Sequence, residues 1–251
     1  MKNILLIIIL TFSSSLLAQS PDSLFVQANK LYQIEKYEEA LAIYKEIENS
    51  NVQSDDLYYN MANVYYKTDQ VAPSIYYYEK TLLLNPRNED AKHNLSFAKR
   101  MIIDNIEALP KTLGQKFSKS VIHKFNYNTW AYSAVGFSFL FAILFLLYHF
   151  SYSSVNKRFY FLSSILSVIF IIITVLFAYN NYNHTKSYRA AIIFAQQSDV
   201  KSAPTNASEI SFELHEGTKV ELLESLDGWN KIKIADGKIG WIESSDIKEL
   251  K

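Results

Sequence analysis

The chain has no cysteine, only six glycines and five prolines, and no net formal charge over 251 residues. Without cysteine there are no disulfides, no thiolate catalysis, no anchoring through a lipidated cysteine and none of the usual structural zinc sites. The balance of 25 basic and 25 acidic residues gives no global field to steer the chain toward nucleic acid or an acidic polymer. Catalytic signatures are missing too. No Gly-rich phosphate loop, HExxH, GxSxG or EF-hand loop occurs, and His93, His123, His149, His184 and His215 are scattered without ligand spacing. Paired acids such as Glu38-Glu39 and Asp55-Asp56 suit solvated faces or helix N-termini, where they favour the dipole. Together these absences predict a non-enzyme with no cofactor and no metal. Aromatic residues are plentiful, with 18 Tyr and 16 Phe, and this composition disfavours a disordered chain.

Hydrophobicity is distributed unevenly. "MKNILLIIILTFSSSLLAQS" has one Lys, an apolar run from Ile4 to Phe12, then small residues ending at Ala18. That order predicts an export signal over residues 1–18; an uncleaved N-terminal anchor is the alternative, and either exports the chain that follows. Two further runs, 130–150 and 159–179, are each 21 residues long and, His149 aside, free of ionisable charge. At about 1.5 Å per residue each reaches roughly 31 Å, close to a hydrocarbon core. Trp130, Tyr132, Tyr148, Tyr160 and Tyr179 sit at their ends as an aromatic belt requires. The expectation is a transmembrane hairpin joined by a cytoplasmic loop over 151–158 that carries Lys157 and Arg158. Lys111, Lys116, Lys119 and Lys124 in a basic linker over 109–129 oppose that orientation under the positive-inside rule. The linker also reads as an amphipathic surface helix whose lysines meet lipid phosphates.

Between residues 21 and 88 the chain repeats itself. Ala28 and Ala62, Leu31 and Tyr65, Ala40 and Ser74, and Tyr44 and Tyr78 are each 34 apart, the length of one helix–turn–helix unit. Small residues at this spacing let paired helices approach, and large ones fill the space against the next helix. A third helix is expected from Asn88 through Leu95, Ala98, Ile102 and Ile106, capping the second unit. Two units and a cap are few for independent stability, so packing onto the membrane-proximal segment or a partner is expected. Tyr58 and Tyr65 fall on core positions, whereas Tyr59, Asn63 and Tyr66 fall off them and are the candidates for partner contact.

From Tyr188 onward the pattern alternates, with Val220 and Leu222, then Ile232 and Ile234, around the turn signals "LDGW" and "ADGK". Asp-Gly between alternating runs signals a hairpin. Several short strands in about 60 residues suggest a small barrel. Trp241, beside Gly240, reads as structural, and Trp229, after a turn, as a candidate contact. From residue 190 onward there are eleven acidic and seven basic residues, which argues against nucleic acid.

The 34-residue pattern, with Pro86 closing the second unit, resembles the tetratricopeptide family, although Gln27, Val52 and Pro73 depart from it. "VKSAP", "LHEGTKVELL" and "GWNKIKIADGKIGWI" resemble a bacterial SH3-like domain, whose loops can bind peptides or cell-wall peptide stems. The expected architecture is therefore multidomain: an α-helical tetratricopeptide domain (21–108), a two-helix transmembrane hairpin and a small all-β SH3-like barrel (188–251). This order, with "EDAKHNLSFAKRMIIDNIEALP" and "NTWAYSAV", resembles the tetratricopeptide and SH3-domain component of the Bacteroides aerotolerance (Bat) family. That resemblance implies a scaffold in the bacterial inner membrane with both domains in the periplasm. Its implied partners are envelope proteins, in particular membrane proteins with von Willebrand type A domains, working with a MoxR-type ATPase. Peptidoglycan binding by the SH3-like domain is the alternative.

Overall fold

The computed structural model describes residues 20–110 and 112–250; the export-signal segment, 1–18, lies outside the described residues. Two compact units are present. One joins the chain up to Glu107 with Ala190 onward, and the other is Ala108–Arg189.

The first unit opens with two helical hairpins, α1 (Pro21–Gln33) with α2 (Tyr37–Asn49), and α3 (Asp55–Lys67) with α4 (Val71–Leu84). Corresponding helices begin 34 residues apart. Ser20 caps α1 by accepting from the Ser23 N–H, and Pro21 follows at the first helical position, where its missing N–H costs nothing. The tight turns within the hairpins pass through Glu35 and Asp69, both in the left-handed region. Ala28, Ala40 and Ala62 are fully buried where the helices cross, and Tyr44, Tyr58, Leu57, Met61, Ile75 and Tyr78 fill the space around them. Ser74 occupies the place of Ala40 one unit later. Its hydroxyl is buried without a hydrogen-bond partner.

Helix α5 (Glu89–Ala98) ends well short of the expected Ile106, in a 3₁₀ turn over Lys99–Met101. Beyond it the chain leaves the helical path because its side chains have better partners elsewhere. Ile102 packs on the helical core and Ile106 on the core of the sheet. Between them, Asp104 takes hydrogen bonds from the His215 N–H (2.8 Å) and the Thr218 hydroxyl (2.6 Å) and lies 2.7 Å from His215 Nδ1.

The sheet has seven strands: β1 (Arg189–Ile193), β2 (Gln197–Lys201), β3 (Ile210–His215), β4 (Lys219–Leu226), β5 (Trp229–Lys233), β6 (Ile239–Glu243) and β7 (Ile247–Leu250). Their order is β3-β2-β6-β5-β4-β1-β7. Pairings β2–β3, β2–β6, β4–β5, β5–β6 and β1–β7 are antiparallel. The two Asp-Gly signals differ in outcome. Asp227 (φ 45°) and Gly228 (φ 83°) form the two-residue turn between Leu226 and Trp229, as the strand twist favours. "ADGK" lies in a longer loop, where Asp236 accepts the Lys238 N–H.

The expectation that the helical hairpins pack onto the membrane-proximal segment or a partner is corrected: the C-terminal sheet of the same chain covers them, because β1 and β7 bring apolar side chains to the helical core. Strand β1 is buried on both faces, which is why it reads "RAAII" rather than alternating. Ala190 and Ile192 belong to the helical core, while Ala191 and Ile193 belong to the sheet core with Val200, Leu214, Val220, Ile232 and Ile242. At Gly217 (φ 86°) a Cβ would meet Ile75 and Val71 side-chain atoms at 3.0 Å, so glycine permits the close approach of sheet to α4. Glu79, buried on α4, ties Lys219 of β4 (2.7 Å) and Lys99 (2.9 Å). Tyr76 donates to the Glu249 carbonyl at 3.3 Å and meets Phe194 edge-on.

In the second unit, α6 (Leu113–Ser120) carries a capping box from Thr112 and Gln115. The linker helix stops there, and a 3₁₀ turn over Ile122–Lys124 follows. Beyond the helix, side chains rather than helical N–H groups take the carbonyls that follow: Trp130 Nε1 and Asn181 Nδ2 both donate to Ile122, and Asn181 also donates to Phe125. Helices α7 (Tyr127–Phe150) and α8 (Ser154–Ser187) are both long and apolar enough to cross a membrane. Helix α8 begins early enough to take Lys157 and Arg158 into its first turns, which leaves only residues 151–153 between the helices. Ser164, Ser167 and Thr174 are buried in the hairpin, and Ser167 donates to the Phe137 carbonyl of α7 at 2.8 Å. Small and hydroxylated residues at a helix contact suit association in lipid. The outer faces are large and apolar, as at Phe139, which is 68% exposed.

Three outcomes follow for the intact protein in detergent. Burial opposes ionisation of Asp104, but Thr218 and His215 outweigh it and hold the carboxyl below its usual range. Lys219 and Lys99 do the same for Glu79 against its burial. Groups depressed in the folded state contribute stability above the unfolded carboxylate range and lose it as pH falls through the folded values. Melting of this unit should therefore be level from pH 8 to about 5 and fall below about pH 4. Asp104→Asn should cost about 2 kcal/mol at pH 7 and shrink that acid loss. Ser74→Ala should be neutral or stabilising by up to about 1 kcal/mol in denaturant unfolding, because it removes an unpaired buried hydroxyl.

Candidate functional site

Two faces of the first unit collect the residues singled out from the sequence. On the helical side, Asn29 Oδ1 accepts from the Tyr44 hydroxyl at 2.5 Å and from Asn60 Nδ2 at 2.9 Å. One unit later Asn63 Oδ1 accepts from the Tyr78 hydroxyl at 2.6 Å and from Asn94 Nδ2 at 3.0 Å. Donors and acceptors thus recur 34 residues apart, forming an amide ladder across α1, α3 and α5. Asn63 is the hub of the second rung, and its carbonyl oxygen is committed within the chain. Its amide nitrogen is the group left to face outward.

Tyr59 is half-buried. Its hydroxyl accepts from Asn94 Nδ2 at 3.1 Å and its ring tilts against Tyr78. Tyr66 is half-buried against the helical core. The structure therefore brings Tyr59 and Asn63 into one network and leaves Tyr66 beside it. Tyr58 and Tyr65 are buried, in line with their core positions. Burial pushes the Tyr44 and Tyr78 phenols well above the usual tyrosine range, so both remain donors at physiological pH. The ladder was not singled out from the sequence, although Asn29 with Asn63 and Asn60 with Asn94 carry the same 34-residue spacing as the packing residues.

On the sheet side, the two tryptophans are equally covered, each at 9% exposure, and neither belongs to the central sheet core. Each has an ammonium near its ring, Lys201 at 5.6 Å from Trp229 and Lys231 at 5.7 Å from Trp241. Their surroundings differ. Trp229 helps to line a cleft of about 290 Å³ with Gln197, Ser198, Asp199, Lys201, Glu243 and Asp246. Within it the Ser198 hydroxyl donates to Asp246. Three carboxylates and one ammonium beside an indole make a polar recess for a ligand with hydrogen-bond donors. Helix-docking groups of the sheet, from His215, Gly217, Thr218 and Lys219 to β7, contribute only neighbours of this recess and none of its lining. Among the described residues, no cluster of three or more His, Asp or Glu side chains is arranged to hold a metal.

If the ladder holds the helix faces in register, Tyr78→Phe should cost about 1 kcal/mol in equilibrium unfolding, since Asn63 then keeps one donor of two. An unchanged unfolding midpoint would show the ladder to be energetically silent.

No curated protein matches the chain. Residues 198–248, from the Ser198 of the cleft to the edge strand β7, match the model of the bacterial SH3 domain.

Proposed function

We propose that the protein is a non-catalytic adaptor of the bacterial cell envelope, anchored in the inner membrane by α7 and α8. In this reading α1 to α5 are two tetratricopeptide units with a short cap, and they and the SH3 domain act together in the periplasm. The module order resembles BatE, the tetratricopeptide and SH3-domain component of Bat systems. Its partners are then membrane proteins with von Willebrand type A domains and a MoxR-type ATPase, in envelope or oxidative-stress tolerance.

The observation that carries this reading is the joint between helices and sheet. Asp104 precedes the apolar hairpin in sequence, and His215 and Thr218 follow it, yet the three meet. These contacts support a reading with both domains on the same side of the membrane, which an even number of spans provides. In this reading the N-terminal segment is an export signal and that side is the outside. Two interaction modules fused through a buried joint suit the holding of partners in fixed relation. Binding of cell-wall peptide at the Trp229 cleft is the second reading, and it rests on the polar lining of that recess.

Reporter fusions at residues 110, 155 and 251 should read outside, inside, outside; any other order removes the model. A photo-crosslinking amino acid at Tyr66 should capture an A-domain membrane protein in cells. Retention of the detergent-solubilised full chain on purified sacculi, lost on Trp229→Ala, would favour the second reading over the adaptor.

A further inference from the structure

The joint between helices and sheet also assembles a charged cluster that neither part has alone. Four buried tyrosines crowd the α3–α4 side of the helical core. Tyr65 stacks on Tyr77 at 5.4 Å, Tyr58 tilts against Tyr77 at 5.9 Å, and Tyr76 meets Tyr77 edge-on at 5.2 Å. Three ammonium groups lie over these rings, each from a different element. Lys80 of α4 sits 3.9 Å from the Tyr58 centroid. Lys45 of α2 sits 5.7 Å from Tyr65, and Lys248 of β7 sits 4.5 Å from Tyr76 and 5.6 Å from Phe194. Lys80 and Lys248 both lie 5.7 Å from Tyr77.

Glu48 is the carboxylate paired directly within this group, and the Glu249 carboxylate acts on Tyr76 from further away. Glu48 pairs with Lys80 at 3.3 Å and spends its other oxygen on the Tyr77 hydroxyl at 2.7 Å. Among the described residues, no carboxylate lies within 4.0 Å of the Lys45 or Lys248 ammonium, and both side chains are exposed. Cation–π contact with the rings orients these ammonium groups without neutralising them. Burial of the inner part of Lys248 over Tyr76, and the charges of Lys80 and Lys45, lower its affinity for its own proton against the pull of Glu48. A second anion beside Glu48 would relieve that repulsion.

We propose that Lys45, Lys80 and Lys248 form a docking site for an acidic peptide segment of a partner protein, present only while the sheet is seated on the helices. The carboxylates of the segment would complete the charge set that Glu48 leaves short, and Phe194 at the rim offers an apolar contact. This site is separate from the amide ladder and from the Trp229 cleft. It deepens the adaptor reading by giving one partner its chemistry.

The test is fluorescence anisotropy of the full chain in detergent micelles at low salt, with labelled hexaglutamate as probe. Hexaglutamine and inorganic phosphate are the competitors. Hexaglutamate should bind and hexaglutamine should not compete. Phosphate should compete only at far higher concentration. The double variant Lys45→Gln/Lys248→Gln removes exposed groups and should weaken binding by about fivefold or more. Glu48→Gln, which frees Lys80, should strengthen binding. The control Lys238→Gln should leave binding unchanged. Hexaglutamate binding that is absent, or equal in wild type and the double variant, overturns the proposal, as does phosphate competing as well as the peptide. Crosslinking of an A-domain protein at Tyr66 that persists in the double variant would leave the adaptor reading standing while this site falls.

Discussion

The Asp104 carboxylate, held between the backbone and ring of His215 and the hydroxyl of Thr218, is the contact around which the unit of helical hairpins and sheet is arranged. It lies where the chain leaves α5, with Ile102 on the helical core and Ile106 on the sheet core to either side. A half-buried carboxylate is costly without donors, and here one turn supplies the His215 N–H and the Thr218 hydroxyl, with the His215 ring beside them. The same turn contains Gly217, whose missing side chain lets the sheet rest on Val71 and Ile75. Glu79 with its two lysines adds a second charged tie across the same joint. Polar pairing gives the joint its register, and apolar burial on both faces of β1 gives it much of its strength.

This joint answers a problem of size. Two helical hairpins and one short helix bury too little apolar surface to be comfortable alone. A seven-stranded sheet with a covered strand at one side and an exposed β3 at the other is likewise incomplete. Seating one on the other closes both, and Ala190, Ile192 and Leu250 become part of the helical core. The arrangement also fixes the spacing of three candidate surfaces. The amide ladder runs over α1, α3 and α5, the Trp229 cleft is lined from β2, β5, β6 and the turn before β7, and the lysine cluster draws on α2, α4 and β7. A partner engaging more than one of these would gain from their fixed spacing.

Much of the architecture was legible in the residues. The 34-residue recurrence of Ala28 with Ala62 and Tyr44 with Tyr78 gave the helix starts, because small and large residues must alternate at helix crossings. The two uncharged runs gave the apolar hairpin, and Asp-Gly with alternating Val and Ile gave the strands. Boundaries were less legible. Periodicity suggested that α5 would continue to Ile106, yet Ile102 and Ile106 serve different cores, and an apolar spacing does not say which core it serves. The linker pattern likewise gave a helix but not its end, which depends on Asn181, far along the chain, taking the carbonyls of Ile122 and Phe125.

The candidate binding residues divide in the same way. Tyr59 and Asn63 could be read as lying off the core, but not as members of one hydrogen-bonded ladder with Asn94. Trp229 and Trp241 could be located beside turns, but their equal burial and unlike surroundings follow from the strand order. Local chemistry and periodicity, which act over a few residues to a few tens, determined the helices, the apolar hairpin and the strands. Only the tertiary structure decided that the helices rest on the sheet, because Asp104 and His215 lie 111 residues apart and no local preference connects them.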